Sequence, residues 1–415
     1  MTRGALVARR LVTSAEPPPV RGRGRLRSIE RGGVAWDDAG TLVFVGDAGD
    51  LPWPATSGSP DEGCIAPGFV DPHTHLPFVG WRADEFEARL GGRTYRDLAG
   101  EGGGIARSAR LLAAASDDEV VAFCILIARE MAALGTTALE LKTGYGLSVE
   151  AELRQARLAR TLADAITQTC TVTLLACHAV PPGMTRAGWV RAACDELIPA
   201  AAAEGLADAV DIYVEDIAFD LDDLGRVAAA AAAAGLPLRC HADQLGHSGA
   251  AEAGAALGAR SADHLNHIGA EGVAALGAGG TAAVLLPAST FLLRATAPPV
   301  EDLLDAGAAI AIATDCNPGT SPVCSMPEAI AIGCTLYGIE PASALVAATA
   351  NAAWVLGLDD RLGRLEVGMR ADLVLLEEAD VSQVAYRPGH DPVAATFVAG
   401  ERVGGARTAA GPGGT

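Results

Sequence analysis

Gly68-Phe69-Val70-Asp71-Pro72-His73-Thr74-His75 is an apolar run that closes on two histidines. In an extended chain, side chains two residues apart leave on the same face, so both imidazoles can reach one metal ion. A His-x-His pair alone is common. Closing an apolar strand, it reads as a pair of metal ligands.

The same texture repeats outward from this point. From 66 to 355, apolar strands of about six residues alternate with long helical stretches rich in Ala, Leu, Arg and Glu. That alternation predicts repeated βα units around a parallel sheet. The strands read as 68–75, 138–143, 173–178, 210–215, 236–241, 262–267, 282–287 and 309–315. Eight strands close a (β/α)8 TIM-type barrel. Seven of them end in, or just before, a polar or ionisable residue: His73 and His75, Lys142, His178, Glu215, His241, His264 and Asp315. Barrel enzymes carry their chemistry at the C-terminal ends of the strands, so the pattern assembles one site from distant sequence. A doubly wound open sheet is the alternative, but no glycine-rich phosphate turn follows the first strand to support it.

The flanks differ. Residues 1–65 carry short apolar stretches (5–8, 34–36, 42–45) broken by Gly, Pro and Asp, and strand texture returns after 355 at 363–369, 371–376 and 394–403. Residues 1–65 and 356–415 are therefore expected to pair into one discontinuous small β domain, a β-sandwich, beside a catalytic barrel over 66–355. The last ten or so residues are expected to be disordered.

The bulk properties narrow the function. A chain of 415 residues with 50% hydrophobic content can bury one large core and a smaller one. A net charge of −20 argues against nucleic acid or an anionic membrane as partner, since either needs a basic face. The nine cysteines are scattered, with no Cys-x-x-Cys pair, and read as reduced core thiols. No apolar run approaches the roughly 20 residues of a membrane span, and no signal-peptide order opens the chain, so a cytoplasmic location is expected.

Two neutral histidines leave a divalent cation short of ligands, and catalytic sites commonly add a histidine or a carboxylate while keeping a position for water. His241 on the fifth strand and Asp315 on the eighth supply both, although each alone reads equally as a buried core histidine and a helix cap. One divalent metal, Zn2+ or Fe2+/Fe3+, is the expected cofactor. Such an ion lowers the pKa of bound water towards about 7. His264, ending the sixth strand, is placed to accept a proton or to polarise a carbonyl oxygen, and Asp315 is a second proton acceptor. His267 reads as structural, or as a support behind the residues that do the chemistry. Two-metal relatives bridge their ions with a carbamylated lysine on the fourth strand. Here that strand ends in Glu215, and the chain's single lysine, Lys142, ends the second, which favours one metal. Lys142 is expected to hold loops by ion pairing.

Five stretches then carry a family resemblance: Asp71-Pro72-His73-Thr74-His75, Leu141-Lys142-Thr143-Gly144-Tyr145-Gly146-Leu147, His241-Ala242-Asp243-Gln244, Ala262-Asp263-His264-Leu265, and Thr314-Asp315-Cys316-Asn317-Pro318-Gly319-Thr320-Ser321. In this order and at these distances they resemble the imidazolonepropionases of the amidohydrolase superfamily, over nearly the full chain. The resemblance implies hydrolysis of the ring amide of 4-imidazolone-5-propanoate to N-formimidoyl-glutamate in histidine degradation, with zinc or iron bound. It carries the metal ligands onto His73, His75, His241 and Asp315. Substrate contacts carry over onto Arg82, Tyr145, His178, Gln244, Asn317, Gly319 and Thr320. The expected partner is a small molecule with a carboxylate tail, for which Arg82 and Tyr145 offer a guanidinium fork and a phenol. Tyr95 and the loop 100–104 are candidates for a cover over the substrate. A homodimer is suggested by analogy with other barrel hydrolases.

Barrel deaminases are the nearest alternative, and they carry a carboxylate three residues after the fifth-strand histidine. Here that residue is Gln244, whose amide cannot shuttle protons near neutral pH. A non-catalytic barrel scaffold, the alternative from another class, predicts a damaged ligand set, whereas all four ligand types are present.

Overall fold

The computed structural model describes residues 3–59 and 61–405; the side chain of Tyr95 and the tail expected to be disordered, 406–415, lie outside the described residues. Eight parallel strands form one sheet in sequential order: β1 (Phe69–Asp71), β2 (Thr136–Lys142), β3 (Thr169–Cys177), β4 (Ala209–Val214), β5 (Leu238–Ala242), β6 (Ser261–His264), β7 (Ala282–Leu285) and β8 (Ile310–Ile312). Nearly every one of their residues is buried, as strands covered by helices must be. The helices between them start where the sequence satisfies their free N–H groups. Ser116 and Glu119 form a reciprocal capping box at the start of Asp117–Ala133, and Asp220 and Asp223 do the same for Leu221–Ala233.

The seam between β1 and β8 nearly closes the barrel, and it does so through the residues just past both strands. The Asp315 amide donates to the His73 carbonyl at 3.0 Å, and the His75 amide donates to the Cys316 carbonyl at 2.9 Å. Below them, the Thr314 amide donates to Asp71 Oδ1 at 3.1 Å. The bonds that join first strand to last thus set His73 and His75 beside Asp315.

Several strands are shorter than their sequence patterns. Strand β1 ends at Asp71 rather than His75, because Pro72 has no N–H to continue the ladder, and β8 covers only Ile310–Ile312. His73, His75 and Asp315 therefore sit on the segments that follow the strands. Lys142 is the reverse case: it lies within β2, fully buried.

Two small sheets adjoin the barrel. Four strands order as Leu42–Asp47, Gly32–Trp36, Gly4–Val7 and Ser57–Gly58; six order as Glu401–Gly404, Val393–Val398, Leu373–Leu376, Cys64–Pro67, Arg10–Ser14 and Leu26–Glu30. Leu373–Leu376 pairs antiparallel with Cys64–Pro67, which joins the two ends of the chain. Leu6, Leu11, Val34, Trp36, Leu42, Ile65, Leu373 and Phe397 share one apolar layer between the sheets. The expected strand 363–369 is instead a set of turns, held to the four-stranded sheet by the Leu42 amide donating to the Met369 carbonyl and the Gly368 amide donating to the Leu42 carbonyl, each at 2.8 Å. All nine cysteines are free thiols. Among the described residues no helix is long and apolar enough to cross a membrane.

Candidate active site

At the C-terminal end of the barrel a cleft is lined by His75, Arg82, Tyr145, His178, His241, Gln244, His264, Asp315, Asn317 and Thr320, together with Ile105, Tyr213, Leu245 and Leu293. Ten of the residues singled out from sequence thus meet in one place. His73 lies at the base, fully buried, and Gly319 packs against Arg82.

The base of the cleft is a knot of ligand-type atoms. His73 Nε2 and His75 Nε2 face each other at 3.3 Å, and Asp315 Oδ1 lies 3.6 Å from the first and 3.3 Å from the second. One ring nitrogen of His241 lies within 4.8 Å of ligand atoms of His73 and His75, and one of His264 within 4.8 Å of atoms of His73 and Asp315. His241 Nε2 and Asp315 Oδ1 are buried without a hydrogen-bond partner among the described residues. Polar atoms are rarely left so, because burying them unpaired is costly. This part of the barrel also buries Glu140, Asp211, Asp263 and Asp315 against two cations, Lys142 and Arg239. Converging imidazole nitrogens and orphaned buried polar atoms together fit a divalent cation.

Behind the histidines stand carboxylates. Asp263 Oδ2 is 2.6 Å from His73 Nδ1, and Asp211 Oδ2 is 3.1 Å from His241 Nδ1, close but out of line for a good hydrogen bond. A carboxylate on Nδ1 fixes the tautomer that leaves Nε2 free to bind. Burial, followed by the positive charge of Lys142, holds His73 well below the usual imidazole range; burial also lowers His75 against the pull of Asp315. His241 goes the other way, because Asp211 outweighs its burial. Burial pushes His264 down to about 3, so it is a neutral imidazole at neutral pH.

Backbone geometry aims two of these groups. His264 has φ of 79° and Asp315 of 55°, left-handed values that cost a non-glycine residue of order 1–3 kcal/mol. Neighbours on a strand point to opposite faces, yet Asp263 and His264 both reach the site; the left-handed turn at His264 breaks the alternation.

The walls carry the other candidates. His178 Nδ1 donates to the Gly144 carbonyl at 3.1 Å, which leaves its Nε2 as an acceptor, and its ring stacks on His75 with centroids 5.3 Å apart. The Arg82 guanidinium is buried: Nε donates to Glu85 Oε2 at 3.0 Å and Nη1 donates to Ser108 Oγ. A Cβ at position 319 would sit 2.0 Å from Arg82 Nη2, so only glycine leaves room for this arginine. Glu85 also accepts from the Gly104 amide at 3.0 Å, which ties the expected covering loop to the arginine.

Other residues differ from expectation. Asn317 lines the cleft, but its amide folds the loop: Oδ1 accepts from the amides of Gly319 and Thr320 at 2.9 and 2.8 Å, and Nδ2 donates to the Asp315 carbonyl at 2.7 Å. Lys142 ion-pairs with strand carboxylates inside the barrel and holds no loop. His267 lines a neighbouring cavity beside Arg89 and Thr290.

Asp211, Tyr213, Asp263 and Glu85 were not anticipated. Asp211, Tyr213 and Glu215 alternate along β4 and its end, a period-two polar pattern on an inward face that points to the first two. Tyr213 stands edge-on to His241 with centroids 5.7 Å apart. Glu215 accepts from the amides of Gln244 and Leu245 at 2.6 and 2.8 Å and so holds the turn that carries Gln244.

The chain matches the model of the amidohydrolase family over residues 64–403. It is 42% identical over 381 residues to the imidazolonepropionase of Paracoccus denitrificans, covering 90% of this chain and 95% of that protein. With the imidazolonepropionase of Rubrobacter xylanophilus it shares 43% over 391 residues, 92% and 94% of the two chains. Among solved structures, an adenosine deaminase from Xanthomonas campestris superposes with a TM-score of 0.68 at 19% identity, covering 96% of this chain and 92% of that one. At that identity the likeness speaks for the fold alone. The metal-type donors, the cleft above them and close relatives along nine-tenths of its length agree: the chain belongs to the amidohydrolase family, among its imidazolonepropionases.

Proposed function

We propose that this protein hydrolyses the ring amide of 4-imidazolone-5-propanoate to N-formimidoyl-glutamate, with His73, His75, His241 and Asp315 holding one zinc or iron ion. The observation that carries the reading is the composition of this cleft: ligand-type atoms at its base, a buried arginine in its wall, and Gln244 where deamination needs a carboxylate.

An ion held by these residues would supply a water of lowered pKa and polarise the carbonyl. Arg82 and Tyr145 take the propionate, while Glu85 and Ser108 keep the guanidinium from swinging. His178 Nε2 accepts from a ring N–H, and the Gln244 amide orients the ring without exchanging a proton. The Asp315 carboxylate accepts the proton of the attacking water. His264, neutral in its buried setting, donates a ring N–H to the carbonyl oxygen as negative charge grows there. The ring C–N bond then breaks, and the proton held by Asp315 passes to the departing nitrogen.

Incubation with freshly generated substrate tests this directly, following loss of its ultraviolet absorbance and assaying ammonia separately. Loss of the ring without ammonia is expected; ammonia release would make the protein a deaminase. Arg82→Ala should raise KM for the carboxylate-bearing substrate more than it lowers kcat. An unchanged preference for carboxylated over uncharged analogues would place the tail elsewhere. Chelation should lower the unfolding temperature, since an ion that binds only the folded chain adds about 4 kcal/mol when present at a thousand times its Kd. Returning the ion should restore it; equal melting with and without metal would contradict the site.

A further inference from the structure

Lys142 is the only lysine among the 31 Lys and Arg residues of the chain, and it is fully buried in β2. Its Nζ lies 2.7 Å from Glu140 Oε2, 2.8 Å from Asp211 Oδ2 and 4.0 Å from Asp263 Oδ2. The last two are the oxygens that face His241 Nδ1 and His73 Nδ1. Two chains of contact therefore run from one ammonium to the base of the cleft: Lys142 to Asp211 to His241, and Lys142 to Asp263 to His73.

We propose that Lys142 is a positioning residue for the metal centre: by holding Asp211 and Asp263 from below, it fixes the rotation of His241 and His73 and aims their ring nitrogens at one point. The inference rests on the reading of those histidines as metal ligands. A lysine suits the task because an ammonium is a compact charge that can hydrogen-bond Asp211 Oδ2 at 2.8 Å and still lie within ion-pair reach of Glu140 and Asp263, whereas a guanidinium is a flat fork that cannot converge on three strands. Burial alone would lower the ammonium, but Asp211, Glu140 and Asp263 together raise it above the ordinary lysine value, so it stays charged. Arg239 completes the arrangement from the far side by donating to Glu140, whose other oxygen faces Lys142.

The test compares the full-length protein with Lys142→Met and with Asn351→Ala, each titrated with Co2+ against a chromophoric chelator and examined by its visible absorption spectrum. Asn351 is buried away from the cleft, where it bonds Val20 and the Ile310 carbonyl, so its loss destabilises the fold without touching this network. Lys142→Met is expected to weaken Co2+ binding by about 10- to 100-fold, the usual scale for losing a group behind a ligand, and to shift the Co2+ bands. Asn351→Ala should keep wild-type affinity and spectrum in its folded fraction. Wild-type binding and spectrum in Lys142→Met, or equal losses in both variants, would overturn the proposal. Should Lys142→Met not fold, Lys142→Arg, which keeps the charge, is expected to show the weakened binding and shifted bands; wild-type values there would overturn it too. If the wild-type chain itself takes up no Co2+, the metal reading fails, and this inference with it.

Discussion

With His264 replaced by alanine, kcat on 4-imidazolone-5-propanoate is expected to fall by a factor of about 100 to 1000, the scale measured for removing one donor to a developing oxyanion. The metal content should stay at that of the wild type. The reasoning starts from burial, which keeps the imidazole neutral, with a value near 3. A group that weakly basic is a poor carrier of protons at neutral pH but a good N–H donor, and its left-handed backbone brings it into the cleft. His264→Asn, which keeps an N–H donor of shorter reach, should recover part of the loss. Because a His264 nitrogen approaches atoms of His73 and Asp315, metal analysis must accompany kinetics. Loss of the ion would make His264 a ligand, and near-normal turnover with the ion retained would remove it from the chemistry.

Asp315→Asn should be at least as damaging, with kcat lowered by about 100- to 10,000-fold, the range for losing general acid–base help. The carboxylate has two duties in the proposed reaction, holding the ion beside His75 and accepting the water proton, and an amide of the same shape performs the second not at all. The side chain is buried, and burial raises its pKa, but His75 and His264 outweigh this and hold it below the usual carboxylate range. It is therefore ionised across the neutral range and ready to accept. Turnover and metal content measured on one preparation separate the two duties: a variant that keeps its ion and loses turnover has lost the acceptor. Turnover that returns fully when excess metal is added would confine Asp315 to ligation.

Much of this site was legible along the chain because a barrel places the ends of its strands at one rim. His75, Lys142, His178, Glu215, His241, His264 and Asp315 stood out as polar groups after apolar runs, and five of the seven line the cleft. The exceptions are instructive. Glu215 supports the turn of Gln244 from behind, and Lys142 sits one layer below the rim, because β2 runs to residue 142 and carries the lysine inside the barrel wall. Asp263 was hidden by its neighbour: in a regular strand it would face away from His264, and only the left-handed backbone brings both inward.

The sequence by itself determined the eight βα repeats, the ligand types and the family, since these depend on local periodicity and on which residues stand next to one another. Tertiary structure alone decided who pairs with whom. Lys142 meets Asp211 across 69 residues, and Arg82 is neutralised by Glu85 while braced by Ser108. The Asn317 Oδ1 is taken up by the amides of its own loop. These outcomes follow from strand neighbours and loop closure in a low-dielectric interior, where a charge is stable only beside the partner that folding delivers.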